Sequence, residues 1–459
     1  MISLSSQMEV ARRALQTHQL AMSVVGTNIA NVNTPGYSRR QVIFETARDL
    51  KIGPGMIGTG VDVSNIRRAR DEILDGMFRE HNGSAGRYFA LQSYLSQVES
   101  VLGEPDGGGL SEALGAFWAG WEDLSNEPES MPVRDQLRGV GEQLTNIFHR
   151  LDSRFRELQQ NLTEQIVGEV GRTNRIADRL AELNRMVTQG EFGGIEASGL
   201  RDERDNLIDE LSEIFDIQVN EDGRGSVTVM IGSQVLVQDT TGRHLEVETG
   251  LQRAAESTRI TWEGTDFEVR AGGGLLKGYV EARDVYIQGY IDDLDSLASG
   301  MVSRINSAHA AGFGLDGSTG NNFFDPDKVT AGDIRLDDGI VANLSAIAAS
   351  GGGAEGDGQN AAAIAGLRTA MTMNGGRATF STYYNSLTGR IGLDSREAGS
   401  FMEAEETLLL DVENRRMQVS GVSLDEEMSF LMSYQHAYEA MIRVTAAIDE
   451  MTVALIDMV

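Results

Sequence analysis

Six histidines, His18, His81, His149, His244, His309 and His436, are the residues to weigh first, because imidazole acts as general base and metal ligand near neutral pH. Metal-assisted hydrolysis would need two of them one helical turn apart, as in H-x-x-x-H or H-E-x-x-H, and the sequence contains no such pair. Calcium binding would need acidic residues at the third and fifth positions of a loop closed by Glu. "DGSTGNNFFD" at 316–325 begins with Asp316 but lacks these, which leaves a turn. Phosphate binding would need a glycine loop that opens a helix. "GPGMIG" at 53–58 has the G-x-G-x-x-G spacing, yet "TGVDV" follows it and alternates like a strand. Glu403, Glu405 and Glu406 read as a solvated helix face, and nothing singles out a carboxylate pair. Cysteine is absent, which removes thiolate nucleophiles, thiolate metal sites and disulfides together. The expectation is no catalytic residue, no cofactor and no metal.

The 459 residues suffice for two to four domains of ~150 residues each. Lys+Arg 39 against Asp+Glu 69 gives −30, which argues against nucleic acid or anionic membrane as partner. Only Lys51, Lys277 and Lys328 are lysines. No run approaches the ~18 apolar residues of a membrane span, and "MISLSSQMEV" lacks the basic and apolar regions of a secretory signal. The expectation is a chain that stays in the cytoplasm or leaves by a route needing no cleaved signal.

What remains is helical patterning. Ser6 and Glu9 have the S-x-x-E spacing of a capping box. Leu4, Met8, Ala11, Leu15, His18, Met22, Val25 and Ile29 then keep a 4-3-4-3 spacing, a heptad seam that calls for a second helix. His18 reads as a packed or partly wet member of that seam. Pro35-Gly36 fits the central positions of a type II turn, so the helix stops and the chain reverses. Short extended segments follow over 41–66. Leu110, Leu114, Phe117, Trp121 and Leu124 form the next stripe. Leu144, Phe148, Leu151, Phe155, Leu158 and Leu162, then Ile176, Leu180, Leu183 and Val187, predict one helix over about 132–188, ~85 Å long.

Residues 216–270 alternate instead. Val227, Val229 and Ile231, a Gly232-Ser233 turn, then Val235 and Val237 predict a hairpin in an inserted β domain. Ile287, Ile291, Leu294, Ala298, Met301, Ile305 and Ala308 return to the heptad. Residues 312–360 are Gly- and Asp-rich, and "SGGGAEGDGQN" reads as a mobile loop. The last helix carries Leu424, Met428, Leu431, Tyr434, Tyr438, Met441, Thr445, Ile448, Thr452 and Leu455. A parallel row of Ala437, Ala440, Val444, Ala447, Met451 and Ala454 makes this stripe wide enough for several neighbours. The two terminal helices are therefore expected to pair.

"GTNIANVNTPGYSRR" resembles the N-terminal motif shared by bacterial flagellar rod, hook and hook-associated proteins, and its Tyr-Ser-Arg ending looks most like the hook-associated protein 1 family. Four further stretches are similar to that family: "LSEALGAFWAGWEDLSNEPESMPVRDQL", "LLKGYVEARDVYIQGYIDDLDSLASGMVSRINSAHAAGFGLDGSTGNNFF", "NLSAIAAS" and "SGVSLDEEMSFLMSYQHAYEAMIRVTAAIDEMTVALI". Arg40 stands where the family more often has Gln. A short variable region implies that an outer domain of longer relatives is reduced or absent.

The resemblance implies a non-enzymatic structural subunit that leaves the cell unfolded through the flagellar type III apparatus and ends at the extracellular hook–filament junction. It implies as partners a ring of identical copies, the hook protein, a second hook–filament junction protein, and an export chaperone on the C-terminal helix. The near alternative is a distal rod or hook subunit, and a remote one is a secreted cell-wall hydrolase. The expected fold is mainly α, a long helical rod with an inserted β domain and paired terminal helices. The expected domains are 1–40 with 421–459 (assembly), 41–215 with 273–312 and 360–420 (rod), and 216–272 with 313–359 (β-rich outer domain). The expected assembly surface is Leu4, Met8, Leu15, Met22, Val25 and Ile29 against Leu424, Met428, Leu431, Tyr434, Tyr438, Met441, Val444, Ile448 and Leu455. The expected turn motif is Asn28, Asn31, Asn33, Thr34, Pro35, Gly36 and Tyr37.

Overall fold

A computed structural model describes residues 4–52, 55–102, 108–192, 194–249 and 258–457. The chain begins with helix α1 (Leu4–Ala30) and a ribbon of β1 (Arg40–Thr46), β2 (Leu50–Ile52), β3 (Gly55–Ile57) and β4 (Val61–Arg68). Helices α2 (Glu72–Leu102), α3 (Leu110–Asn126), α4 (Met131–Gly190) and α5 (Ser198–Ile214) follow. The β unit holds β5 (Ile217–Glu221), β6 (Val227–Ile231), β7 (Gln234–Gln238), β8 (Thr241–Gly242), β9 (Leu245–Thr249) and β10 (Thr258–Trp262). The chain returns through α6 (Gly274–Glu281), α7 (Gln288–His309), the short α8 (Asp338–Ala342) and α9 (Gln359–Gly366), and closes with α10 (Phe380–Ser420) and α11 (Leu424–Ile456).

The rod is built on α4. Its 60 residues rise ~90 Å at 1.5 Å each, and Pro132 is tolerated because it sits in the first turn, where its missing N–H costs no helical bond. Every third or fourth side chain from Leu144 to Val187 is buried, so the predicted continuous helix is present. Against it lie α3, α5 and α2, and α10 packs along α2, with α6 crossing α2 so closely that a Cβ on Gly278 would overlap the Arg87 carbonyl. A π-helical stretch, Ala282–Ile287, joins α6 to α7 and turns Arg283 inward onto the Thr163 hydroxyl and the Thr258 carbonyl. The heptad reading passed over this insertion because a single extra residue leaves the apolar spacing after it intact.

The β unit packs on the second half of α4. An antiparallel sheet of order β5-β6-β7-β8 and a β9–β10 pair dock through two asparagines: Asn184 donates to the Val227 and Asp239 carbonyls, and Asn174 exchanges two hydrogen bonds with Leu245. A register shift opposite Val229 and Met230 breaks the expected alternation of Val235 and Val237. Leu236 and Val237 are both buried, and Val235 is not.

Residues 313–359 do not join this unit as expected. They fold against α3, α4 and α7, where Phe323 and Phe324 pack on Phe117 and Trp121. Asn306 grips the backbone of Phe323 and Phe324, and the buried Arg134 donates to the carbonyls of Leu344 and Ile347. The "SGGGAEGDGQN" stretch is likewise tied down. Asp357 accepts from Gly351 N, Gly352 N, the Ser350 hydroxyl and Gln359 N, and the Gln359 amide leads a set of donors that hold its pKa at about 2. Glycine content set the expectation of mobility, and one carboxylate reverses it. In 316–325 the Asp316 carboxylate accepts from Ser318, and Gly317 and Gly320 have positive φ, which is turn geometry.

Candidate assembly interface

The ends of the chain meet. Helix α11 lies antiparallel along α1, with Glu427 beside Asn28 at one end and Ile448 facing Ala11 toward the other. The ribbon covers one edge of the pair: β1 and β4 are antiparallel partners, and His18, Phe44 and Tyr434 form an aromatic cluster with centroids 5.9–6.3 Å apart. Burial lowers the pKa of His18, keeping it neutral there. The β2–β3 hairpin contains what is described of "GPGMIG"; Gly53 and Pro54 lie outside the described residues, and Gly55–Ile57 is a strand and not the opening of a helix.

The capping box is not formed. The described helix is already under way at Leu4, so Ser6 lies inside it, and Glu9 binds Arg12 and Arg13 instead. These bonds hold its pKa at about 2. The buried face of α1 overlaps the predicted heptad row only at Ala11 and Val25. It is Ala11, Ala14, Thr17, Ala21, Val24, Val25 and Asn28, while Leu4, Met8, Leu15, Met22 and Ile29 are half-buried along its margins. Small side chains let the two helices approach, and the larger ones flank the contact.

On α11 the burial is sparse. Ile448 and Glu427 are buried, Leu431, Tyr434, Tyr438 and Met441 are half-buried, and Leu424, Met428, Val444 and Leu455 are exposed. The stripe is wide, as expected, but the subunit covers one margin of it.

The turn motif fixes how this pair leaves the rod. Gly36 has φ +74° and Tyr37 N donates to the Thr34 carbonyl, so Pro35-Gly36 forms the type II turn. Asn28 makes all four hydrogen bonds open to an amide. It donates to the Arg40 carbonyl and Glu427 Oε2, and accepts from Arg40 N and the Tyr37 hydroxyl. Asn31 donates to the Thr27 carbonyl and accepts from the Thr34 hydroxyl. Asn33, Thr34, Pro35 and Gly36 are exposed.

Around Asn28 stands an ion-pair network that the sequence reading did not anticipate. Arg39 binds Glu427 at 2.8 Å and Glu426 at 2.9 Å. Arg68 binds Glu196, Asp202 and Asp205, and Arg70 binds Asp75 and Asp205. Arg416, at the end of α10, binds Asp75 and Asp209 and stacks on Phe78. Burial alone would raise the pKa of Asp205, but Arg68, Arg70 and Arg204 lower it on balance. A signal existed: "SLDEE" opens the last helix with three acids, and "SRR" follows the turn motif. Opposite charges at the two ends of a chain that pair their helices have reason to meet. The network offers no nucleophile held by a base, and among the described residues no acid–histidine group could hold a metal ion. Its consequence is mechanical, since it locks α11, the turn and the rod at one joint.

The family described as Flagellar hook-associated protein FlgK helical domain matches residues 95–324. Flagellar hook-associated protein 1 of Bacillus subtilis is 33% identical, covering 97% of this chain and 96% of its own length. The chain belongs to the flagellar hook-associated protein 1 family. A more distant hook-associated protein 1, from Escherichia coli, is 22% identical over 99% of this chain and 100% of its own length. The fold is shared with the flagellar hook junction protein FlgK of Burkholderia pseudomallei, with TM-score 0.67 at 14% identity, covering 76% of this chain and 100% of that one. The two ends match families named for the basal-body rod, Flagella basal body rod protein over 8–37 and Flagellar basal body rod FlgEFG protein C-terminal over 414–458. In this hook-associated protein 1 family member, the basal-body-type ends coincide with the α1–α11 pair and its joint, and the hook-associated match runs from the end of α2 through α4 and the β unit past α7.

Proposed function

We propose that this chain is a structural junction subunit of the bacterial flagellum, exported by the type III route and assembled outside the cell as a layer between hook and filament. One observation carries the reading. Of the 33 residues of α11, only Glu427 and Ile448 are buried, while Leu424, Met428, Phe430, Met432, Ile442, Val444, Met451, Val453 and Leu455 remain exposed. An apolar surface of that extent on one helix asks for neighbours, and neighbouring copies in a ring supply them. Hook protein on one side and a second junction protein on the other complete the layer. Before export the same bare stripe suits a chaperone groove.

A distal rod or hook subunit would share the terminal pair. The match of 95–324 to the hook-associated helical domain favours the junction. Immunolabelling of detached flagella tests this. Label confined to the hook–filament joint is expected, and label along the hook would reject it.

A further inference from the structure

An apolar groove of about 470 Å³ opens between the terminal helices and the ribbon, lined by Val10 and Ala11 of α1, Ile57 of β3, and Met441, Val444 and Ile448 of α11. Successive side chains of a strand point to opposite faces. Ile57 lines the groove, so Met56 projects from the far side of the hairpin, 64% exposed. Lys51 is the cross-strand partner of Met56, and directly opposed residues share a face. One hairpin thus carries a hole on one side and an apolar knob with a cation beside it on the other.

Charge decides the occupant. Residues 39–70 hold Arg39, Arg40, Arg48, Lys51, Arg67, Arg68 and Arg70 against Glu45, Asp49 and Asp62, which is +4 within a chain of −30. Helix α11 holds Asp425, Glu426, Glu427, Glu439, Asp449 and Glu450 against Arg443, which is −5. Arg39, Arg40, Arg68 and Arg70 are ion-paired within the chain. Arg48, Lys51 and Arg67 are exposed and make no ion pair among the described residues, and neither do Asp449 and Glu450, which flank Ile448 and Met451. Between two copies of this acidic chain, the basic ribbon of one is attracted to the acidic α11 of the other.

We infer that the β2–β3 hairpin of one copy, with Met56 leading and Lys51 beside it, seats in the α1–α11 groove of the next copy. Knob and hole lie on different faces of one molecule, so the contact is head-to-tail and propagates into a ring or helix instead of closing a dimer. This contact rests on the reading of the chain as a subunit assembled from many copies.

The absence of cysteine makes the test direct, because a double variant with Met56→Cys and Val444→Cys has no background thiol. Both positions are exposed, and circular dichroism of the purified variant checks that it folds. Detached flagella that label for the variant are treated with a short bismaleimide and run on a denaturing gel. The expected result is a ladder of dimer, trimer and higher multimers from the double variant, and monomer from each single variant. Adding Lys51→Glu should reduce the ladder severalfold. Labelled flagella that yield only monomer overturn the contact, as does dimer from Met56→Cys alone, which would mean a symmetric knob-to-knob interface. Flagella without label would reject the proposed function together with this contact, so the two failures are told apart.

Discussion

Asn28 and Glu427 lie 399 residues apart in the chain and hydrogen-bond at 3.0 Å, each with 1% of its surface exposed. The second oxygen of Glu427 takes Arg39 at 2.8 Å. Removing the carboxylate would leave the buried Asn28 amide short of an acceptor and the nearly buried Arg39 with Glu426 as its remaining carboxylate, a loss of about 1–3 kcal/mol for docking α11. In the free subunit, amide exchange should slow near Glu427 and quicken toward Ile456, since α11 is held chiefly at that end. Glu427→Ala should erase the protection at 424–435 and leave that of α4 unchanged. Equal protection along α11 in both proteins would contradict the joint described here.

Regular patterns were legible in the sequence, and single long-range bonds were not. The run from Leu144 to Val187 specifies its helix because each turn repeats the same instruction, and the type II turn at Pro35-Gly36 follows from two residues whose backbone preferences leave little choice. The α1 seam was only partly placed: the heptad row contained the buried Ala11 and Val25, but its other, mostly large members lie at the margins, and the small Ala14, Thr17 and Ala21 that complete the buried face were passed over. The Asp357 turn, the Asn174 and Asn184 clamps and the Glu427 joint each depend on one polar residue finding backbone or charge elsewhere in the fold. No periodicity announces such a residue.

Gly36 should resist substitution for two separable reasons. A Cβ there would overlap the side chain of Asn206, and φ of +74° strains any L residue by about 1 kcal/mol. Gly36→Ala should therefore destabilise the joint by more than that strain alone. Adding Asn206→Ala should return the steric part and not the strain. Urea midpoints of the two variants measure this, and no recovery in the double variant would mean that Asn206 does not press on the turn.

Acid should loosen the rod at His309 before its lowered carboxylates titrate. The ring is buried among Trp121 and Phe323, and its Nδ1 donates to the Asn321 carbonyl while Nε2 accepts from Ala348 N. Burial pushes its pKa down to about 4. The unfolded chain, with its ordinary value near 6.5, takes up a proton first, so this contribution is complete above pH 6.5 and is lost as pH falls toward 4. The loss should be on the order of 3 kcal/mol. Denaturant titrations at pH 7 and 4.5 should show a smaller difference in His309→Gln than in the natural chain. An equal difference in both would assign the acid sensitivity elsewhere.

Ile448→Asp tests the terminal pair as an assembly surface. Ile448 is 4% exposed on the wall of the groove. Its burial contributes roughly 1.5–3 kcal/mol, and an aspartate there adds an uncompensated charge beside Asp449 and Glu450. The substitution cannot be relieved by collapse, as Ile448→Val could be. The purified variant should keep the helices and sheets of residues 65–420, whose core is built without α11, and lose order in the distal part of the terminal pair. Cells carrying it should keep their hooks and shed flagellin into the medium, because the layer forms weakly or not at all. Ile448→Val should retain filaments of ordinary length. If Ile448→Asp cells also carry full-length filaments, the α1–α11 surface does not hold the layer together.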